Sequence, residues 1–235
     1  MPINEHGQPV GEPVAWHGAR PPCATTLPGH WCSVVPLKQA HSADLYAAIA
    51  PLGPSAWTYL GWQPAASSAE MAEVVAEALV HPGWHPWTVL DAAGAPQGLA
   101  SYLRIEPAAG SIEVGGILYG VGLQRHTAGT EAMALLARHA FEDLGYRRYE
   151  WKCDSLNAPS RAAALRLGFR YEGTFRQALV YKGRSRDTAW FAMTDADWPA
   201  VRAAYEAWLD PANFDESGHQ RRRLAVGRAA PLEGG

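Results

Sequence analysis

Residues 111–144 are predicted to form a strand, a short polar loop and then a strongly amphipathic helix. Apolar side chains recur at helical spacing over 130–144, and Gly145 follows as a signal for the helix end. Four amide groups at a helix start have no intrahelical partner, and the helix dipole adds positive charge there. The loop at 122–131 is therefore predicted either to bind an anion such as phosphate or to be an ordinary helix start.

The rest of the chain alternates strand and helix patterns. The three strands nearest the middle are joined by short turns, which predicts an antiparallel meander. The fold class is therefore α/β in the wide sense (α+β), with a mixed, mostly antiparallel sheet and helices on both faces. Strands are predicted at 30–37, 84–91, 98–106, 111–119, 147–154, 169–182 and 185–194, and helices at 42–50, 68–80, 130–144, 158–167 and 195–209.

Proline and glycine set the ends of the predicted domain. Residues 1–29 contain six prolines among glycines, which predicts an extended N-terminal arm held to the surface by Trp16. Residues 30–210 form the predicted domain. Residues 211–235 are polar and glycine-rich, and we expect a flexible tail that does not pack.

Charge and cysteine content exclude several classes of function. The formal net charge is −3, so the protein has no overall positive charge that would attract nucleic acid or an anionic membrane. The three cysteines, Cys23, Cys32 and Cys153, form no C-x-x-C pair, which disfavours a disulfide scaffold and a metal site. Without an apolar leader or a long apolar run, we expect a soluble, cytoplasmic protein.

A series of short motifs follows the loop in a fixed order. The motifs are Gln124-x-x-Thr127-x-Gly129-Thr130-Glu131-Ala132, Ala140-Phe141-x-x-Leu144-Gly145, Asn157-x-x-Ser160, Leu167-Gly168-Phe169, Glu172-Gly173, Phe175-Arg176 and Gly183-x-x-Arg186-Asp187. Together they resemble the GNAT superfamily of N-acetyltransferases, in particular the branch that includes the ribosomal-protein alanine acetyltransferases. The resemblance runs from about residue 31 to residue 198.

The resemblance implies acetyl-coenzyme A as co-substrate. Its pyrophosphate would be wrapped by backbone amides of the loop, and its pantetheine arm would lie between strands 111–119 and 147–154, which splay apart. Glycine inside a strand often marks a bend, so Gly115-Gly116 is a plausible cause of the splay. The implied coenzyme-binding residues are Ile117, Tyr119, Gln124, Arg125, His126, Thr127, Ala128, Gly129, Thr130, Asn157 and Ser160. Asn157 is equally suited to be a helix N-cap.

Two positions depart from the family pattern. Thr127 stands where the loop usually has glycine, and since a β-branched residue at positive φ is strained, we expect Thr127 to keep a negative φ. Ala164 stands where many relatives place a tyrosine that protonates the departing thiolate. The nearest replacement acid is Ser160, whose alternative role is that of an ordinary first-turn helix residue.

Acetyl transfer to an amine requires a base, and Glu113 is the best candidate because strand alternation places it opposite Ile112 and Val114. A structural salt bridge is the alternative role for Glu113. Trp57 and Tyr59 are predicted to roof the acceptor pocket, with core packing as their alternative. Arg176 is predicted to bind an acceptor carboxylate.

These residues predict an N-acetyltransferase that acts by direct, sequential transfer to a primary amine, either a small amino compound or a protein N-terminus. No nucleic acid, membrane or metal partner is expected, and a homodimer is left open. The alternative function is a non-catalytic acyl-coenzyme A sensor or assembly module.

Overall fold

Consecutive residues are buried along the central strands, so apolar side chains project from both faces of one sheet and are covered by helices. The fold is described from a computed structural model over residues 1–226. It contains eight strands, β1 Leu27–Pro28, β2 Ser33–Pro36, β3 His85–Leu90, β4 Pro96–Glu106, β5 Ser111–Tyr119, β6 Arg148–Asp154, β7 Arg170–Tyr181 and β8 Arg184–Thr194.

Five α-helices cover the sheet: α1 Ser42–Ile49, α2 Ser68–Val80, α3 Thr127–Arg138, α4 Ala158–Arg166 and α5 Trp198–Leu209. The apolar side chains of α1 and α2 pack on one face, where they meet Leu99 and Leu118. Those of α3 and α5 pack on the other face, where they meet Ala100 and Ile112. The predicted mixed sheet with helices on both faces is confirmed.

The strand order in the sheet is β1-β2-β3-β4-β5-β6-β8-β7. Strands β2 to β5 form the predicted antiparallel meander. Strands β5 and β6 are parallel, and they are joined through α3. This crossover brings the start of α3 to the same end of the sheet at which β5 and β6 both end.

The strongest helix begins three residues earlier than predicted, at Thr127 rather than at residue 130. Periodicity could not detect its first turn, because Thr127, Ala128 and Gly129 are small and carry no amphipathic signal. The helix continues into a π-helical turn at His139–Asp143, and Gly145 follows at φ +78°. The last helix begins at Trp198 rather than at residue 195, with Pro199 in its first turn.

Residues at both ends of the chain pack on the domain. Trp16 Nε1 donates to the Ala108 carbonyl at 2.6 Å, as expected for an arm held by this ring. At the other end, Phe214 is buried against Trp208, and Leu224 contacts the core. The expectation that the tail does not pack is therefore corrected for residues 211–226, because these aromatic and aliphatic side chains find an apolar surface. Residues 227–235 lie outside the described residues.

Glu131 joins the N-terminal segment to α3. Its carboxylate is buried and accepts three backbone N–H groups, from His30 to Oε1 at 2.8 Å and from Trp31 and Cys32 to Oε2 at 2.6 and 2.8 Å. Hydrogen bonds to an ionised acceptor are the strong kind. The carboxylate therefore fixes the turn before β2 against the helix that begins beside the functional site.

We expect Glu131→Ala to lower the free energy of unfolding by roughly 3 kcal/mol, because it leaves three amides without their acceptor. Chemical denaturation of this variant and of the surface control Glu73→Ala tests the expectation. A loss below about 1 kcal/mol for Glu131→Ala would show that water replaces the carboxylate at little cost.

Candidate active site

Strands β5 and β6 are hydrogen-bonded over only four residue pairs, from Ser111 with Arg148 to Val114 with Trp151. Beyond these pairs, β5 continues to Tyr119 and β6 continues to Asp154 with no pairing between them. The two strands therefore splay apart at the middle of the sheet. Backbone groups that would have completed the ladder face the gap.

A bulge in β5 accompanies the splay. Leu99 pairs with Leu118, but Ser101 pairs with Gly115, so β5 places two residues, Gly116 and Ile117, opposite Ala100. Gly116 lies in this bulge at φ +57°, a conformation that favours glycine. Such bulges bend a strand, which agrees with the predicted role of the Gly115-Gly116 pair.

A cavity of about 870 Å³ opens at the splay. Its floor includes Glu113 and Ile117 of β5 and Trp151, Lys152 and Cys153 of β6. Its walls come from four other regions: the end of β4, the start of α4, the β7–β8 hairpin, and aromatic side chains that flank α2. Wall residues include Asn157, Ser160, Phe175, Arg186, Trp190, Tyr59, Trp62 and Trp84.

The first turn of α3 offers free amide groups. The N-cap residue is His126, whose side chain makes no capping hydrogen bond, and no acidic residue lies in the first turn. The amides of Thr127, Ala128 and Gly129 precede the first intrahelical bond and thus point out of the helix. With the helix dipole, they form a site suited to an anion.

The loop before α3 is shaped by close backbone contacts. Gln124 Nε2 donates to the Tyr119 carbonyl at 3.0 Å, and the Tyr119 hydroxyl donates to the Gly129 carbonyl at 3.2 Å. Arg125 has φ +63°, whereas Thr127 is helical with negative φ, as predicted. A Cβ on Gly129 would lie 2.3 Å from the Leu123 carbonyl oxygen, so this position tolerates only glycine without movement.

Asn157 and Ser160 lie together at the start of α4. Asn157 is the N-cap, and its Oδ1 accepts the Ser160 N–H at 3.1 Å, which leaves the Asn157 side-chain NH₂ group toward the cavity that it lines. Ser160 Oγ accepts the Trp151 indole N–H at 3.0 Å, so its own proton remains available for donation.

Burial raises the pKa of the nearby Cys153 thiol although Ser160 opposes this, which disfavours Cys153 as a nucleophile. Thr130, in contrast, is buried, and its hydroxyl accepts from Arg166 at 2.7 Å.

Glu113 is buried on the cavity floor and is paired with two cations. Its Oε2 lies 2.5 Å from Arg104 Nη1 and 3.0 Å from Lys152 Nζ. Its Oε1 is directed toward Gly115, 3.2 Å from the position that a Cβ would occupy there. The salt bridge that was the alternative role of Glu113 is thus present. The other carboxylate oxygen, Oε1, still faces the part of the cavity beside the bulge.

The three predicted acceptor residues are separated in the structure. Tyr59 lines the cavity, and its hydroxyl donates to the Leu156 carbonyl at 3.2 Å. Trp57 does not line it, because a 3₁₀ turn buries its ring in the core beside α2. Arg176 is exposed on β7 outside the cavity, because an irregular register between Phe175 and Leu179 brings those apolar residues to the wall instead.

Several cavity residues were missed by the sequence analysis. Arg186, rather than Arg176, places a cation on the cavity wall, and its motif, Gly183-x-x-Arg186, was visible in the sequence. Lys152 gave a detectable signal, since it is a lysine within an apolar strand pattern. Trp84 and Trp190 gave none, because an aromatic residue in a predicted strand is an ordinary core residue.

Over residues 1–226, no helix is both long and apolar enough to cross a bilayer. The same part of the chain contains no group of three or more His, Cys, Asp or Glu side chains arranged to hold a metal ion.

Comparisons with known proteins agree on one family. The model of the acetyltransferase (GNAT) domain matches residues 34–170. A GCN5-related N-acetyltransferase from Brucella melitensis has 42% sequence identity and a TM-score of 0.86, with 89% of this chain and 96% of that chain covered. A probable GNAT-family acetyltransferase from Chromobacterium violaceum has 35% identity and a TM-score of 0.77, with 85% and 100% covered.

A more distant fold neighbour is an acetyl transferase from Salmonella typhimurium that modifies the N-terminal serine of 50S ribosomal subunit protein L7/L12. It has 20% identity and a TM-score of 0.62, with 72% of this chain and 99% of that chain covered. No protein of curated function matches this chain.

Three features together define an acetyltransferase fold. They are the splayed parallel pair β5 and β6, the cavity between these two strands, and the uncapped helix α3 beside them. The chain belongs to the GNAT family of acetyltransferases.

We expect Gly129→Ala to raise the Kd for coenzyme A at least about tenfold, because the new methyl group must push the Leu123 carbonyl away and misalign the amides of α3. Isothermal titration calorimetry measures this Kd. Gly122→Ala is the matched control in the same loop, since its Cβ meets only the movable Gln97 side chain. Equal affinities in the two variants would contradict a role for these amides.

Proposed function

We propose that this protein transfers an acetyl group from acetyl-coenzyme A to a primary amine in one direct step. The observation that carries the proposal is the position of the cavity, which lies in the gap between β5 and β6, while α3 begins just after the end of β5. A buried carboxylate in the cavity and an anion site at the helix that follows β5 suit a co-substrate with a diphosphate and a thioester.

The residues present fit the coenzyme. The free amides of Thr127, Ala128 and Gly129 would hold the diphosphate, with Gln124, Arg125 and His126 in the loop before them. Tyr119 would support this loop through the hydrogen bond from its hydroxyl to the Gly129 carbonyl. The Thr130 hydroxyl already accepts a hydrogen bond from Arg166. Ile117 and Asn157 line the gap in which the pantetheine arm would lie.

Two side chains would move protons during transfer. The coenzyme supplies an activated acetyl thioester. Glu113 Oε1 would accept the ammonium proton of the acceptor, after which the free amine forms the C–N bond as the C–S bond breaks. Ser160 would donate its hydroxyl proton to the departing thiolate. The second proton, which the nitrogen loses once the C–N bond has formed, would return to Ser160 through water, so the overall reaction releases only the proton taken up by Glu113.

Backbone amides of β5 that face the splay would stabilise the negative charge on the acetyl oxygen. They have no partner on β6, and they are fixed by the bulged strand. Because the amine attacks directly, no nucleophilic side chain is required, which agrees with the raised pKa of the Cys153 thiol.

The acceptor class is a primary amine, which covers both a small amino compound and a protein N-terminus. The likeness in fold to an enzyme that modifies an N-terminal serine supports the inclusion of peptides among the substrates tested. Tyr59 and Arg186, on the cavity wall, would contact the acceptor.

Release of free thiol from acetyl-coenzyme A over a panel of small amines and N-terminal peptides tests the proposed activity. Turnover with at least one acceptor is expected. Tight coenzyme A binding without turnover on any acceptor would instead favour the acyl-coenzyme A sensor.

Glu113→Gln is expected to lower kcat by about 100- to 10,000-fold, because it removes the base while it keeps the shape of the side chain. The Kd for coenzyme A, measured by calorimetry, should change little because the amides of α3 are untouched. A pH–rate profile that matches the wild type in shape and height would remove Glu113 from this role.

Ser160→Ala is expected to lower kcat by about tenfold or more, because water replaces a fixed acid. The KM for acetyl-coenzyme A should stay near the wild-type value. Trp151→Phe, which frees the Ser160 hydroxyl from its indole donor, should cause a smaller loss of the same kind. A Ser160→Ala variant with full kcat would assign protonation of the thiolate to solvent.

A further inference from the structure

Lys152 is a lysine whose side chain is almost fully buried, with 3% exposed. Its Nζ lies 3.0 Å from Glu113 Oε2 and 2.6 Å from Glu150 Oε2. The ammonium also lies 3.7 Å from the ring centroid of Trp190. A buried lysine is costly unless it is fully paired, and these three contacts fix its position.

The strand register explains why a cation is needed at this point. Glu113 of β5 is paired directly with Glu150 of β6, so two carboxylates face each other on the same side of the sheet. Like charges in such pairs repel. Lys152 lies two residues beyond Glu150 on the same face, from where its ammonium reaches both carboxylates.

Lys152 also lies at the point where the splay begins. Trp151 is the last residue of β6 that is paired with β5, and Lys152 is the next residue along the strand. Its ion pair with Glu113 therefore crosses from β6 to β5 at the end of the backbone ladder, on the floor of the cavity.

Other charged groups around this pair belong to one network. Arg104 of β4 binds Glu113 from the opposite side, and Arg148 of β6 binds both Glu150 and Glu172 of β7. Burial raises the pKa of Glu150, but Lys152 and Arg148 outweigh burial and lower it overall. From β8, Arg186 adds a further cation to the cavity wall.

We propose that Lys152 is a positioning residue for acetyl transfer, which holds Glu113 through Oε2 so that Oε1 faces the acceptor. The inference depends on the proposed role of Glu113 as base. Lys152 itself contacts no reacting atom, and its effect passes through the carboxylate. A purely structural ion pair would hold β5 and β6 together but would leave kcat unchanged in a variant that still folds and binds coenzyme A.

Lys152→Met tests this role. Without the ammonium, Glu113 and Glu150 face each other with one cation fewer, and Glu113 Oε2 loses the contact from β6 that orients the carboxylate. We expect kcat to fall by about ten- to a hundredfold, because a carboxylate that is no longer held in place transfers the proton less efficiently. The KM for acetyl-coenzyme A should stay within about threefold, since the diphosphate contacts are distant.

The repulsion left in Lys152→Met could prevent folding, so the double variant Glu150→Gln/Lys152→Met removes it. The double variant should also lose kcat, because Glu113 then keeps only Arg104. Lys152→Arg retains the charge and should restore part of the lost kcat. Glu172→Gln, at the exposed far end of the network, is the control and should leave kcat unchanged.

A folded Lys152→Met or double variant, shown by normal coenzyme A binding, with wild-type kcat would overturn the inference. Failure of the proposed function gives a different result. In that case the wild type shows no turnover, or Glu113→Gln is as active as the wild type, whatever the activity of the Lys152 variants.

Discussion

The loss of pairing between β5 and β6 after Val114 is the constraint on which the site depends. Four residue pairs hold the strands together, and the bulge with Gly116 bends β5 away beyond them. The gap leaves backbone groups without a partner in the sheet, and a bound co-substrate can satisfy them. Because the crossover from β5 to β6 is α3, the free amides of that helix lie at the open end of the same gap.

Charge is distributed around this gap in two different ways. At α3 there is no first-turn acid and no side-chain cap, so the positive end of the helix remains uncompensated. On the cavity floor the charges are compensated, with Arg104, Glu113, Lys152 and Glu150 linked in one network. The first arrangement suits the binding of an anion, whereas the second holds the carboxylate of Glu113 in place on the cavity floor.

The sequence was sufficient for the fold because the main elements have strong local signals. The meander, the long helix and the Gly145 helix end follow from periodicity and turn residues. The first turn of α3 was missed because its small residues carry no periodic signal.

In the site, Glu113 and Ser160 could be placed on the cavity by strand alternation and by the Asn157-x-x-Ser160 motif. Trp57 and Arg176 could not be excluded from it, because a 3₁₀ turn and a register irregularity decide where they lie. The Lys152 ion pairs depend on the β5–β6 register, which single-strand patterns do not contain.

Amide hydrogen exchange with and without coenzyme A tests the central claim most directly, because it reports on the backbone groups themselves. The account predicts slower exchange at Thr127, Ala128 and Gly129 and along the unpaired part of β5, with no change in α1 and α2. Coenzyme A binding that leaves exchange at the start of α3 and along β5 unaltered would contradict it.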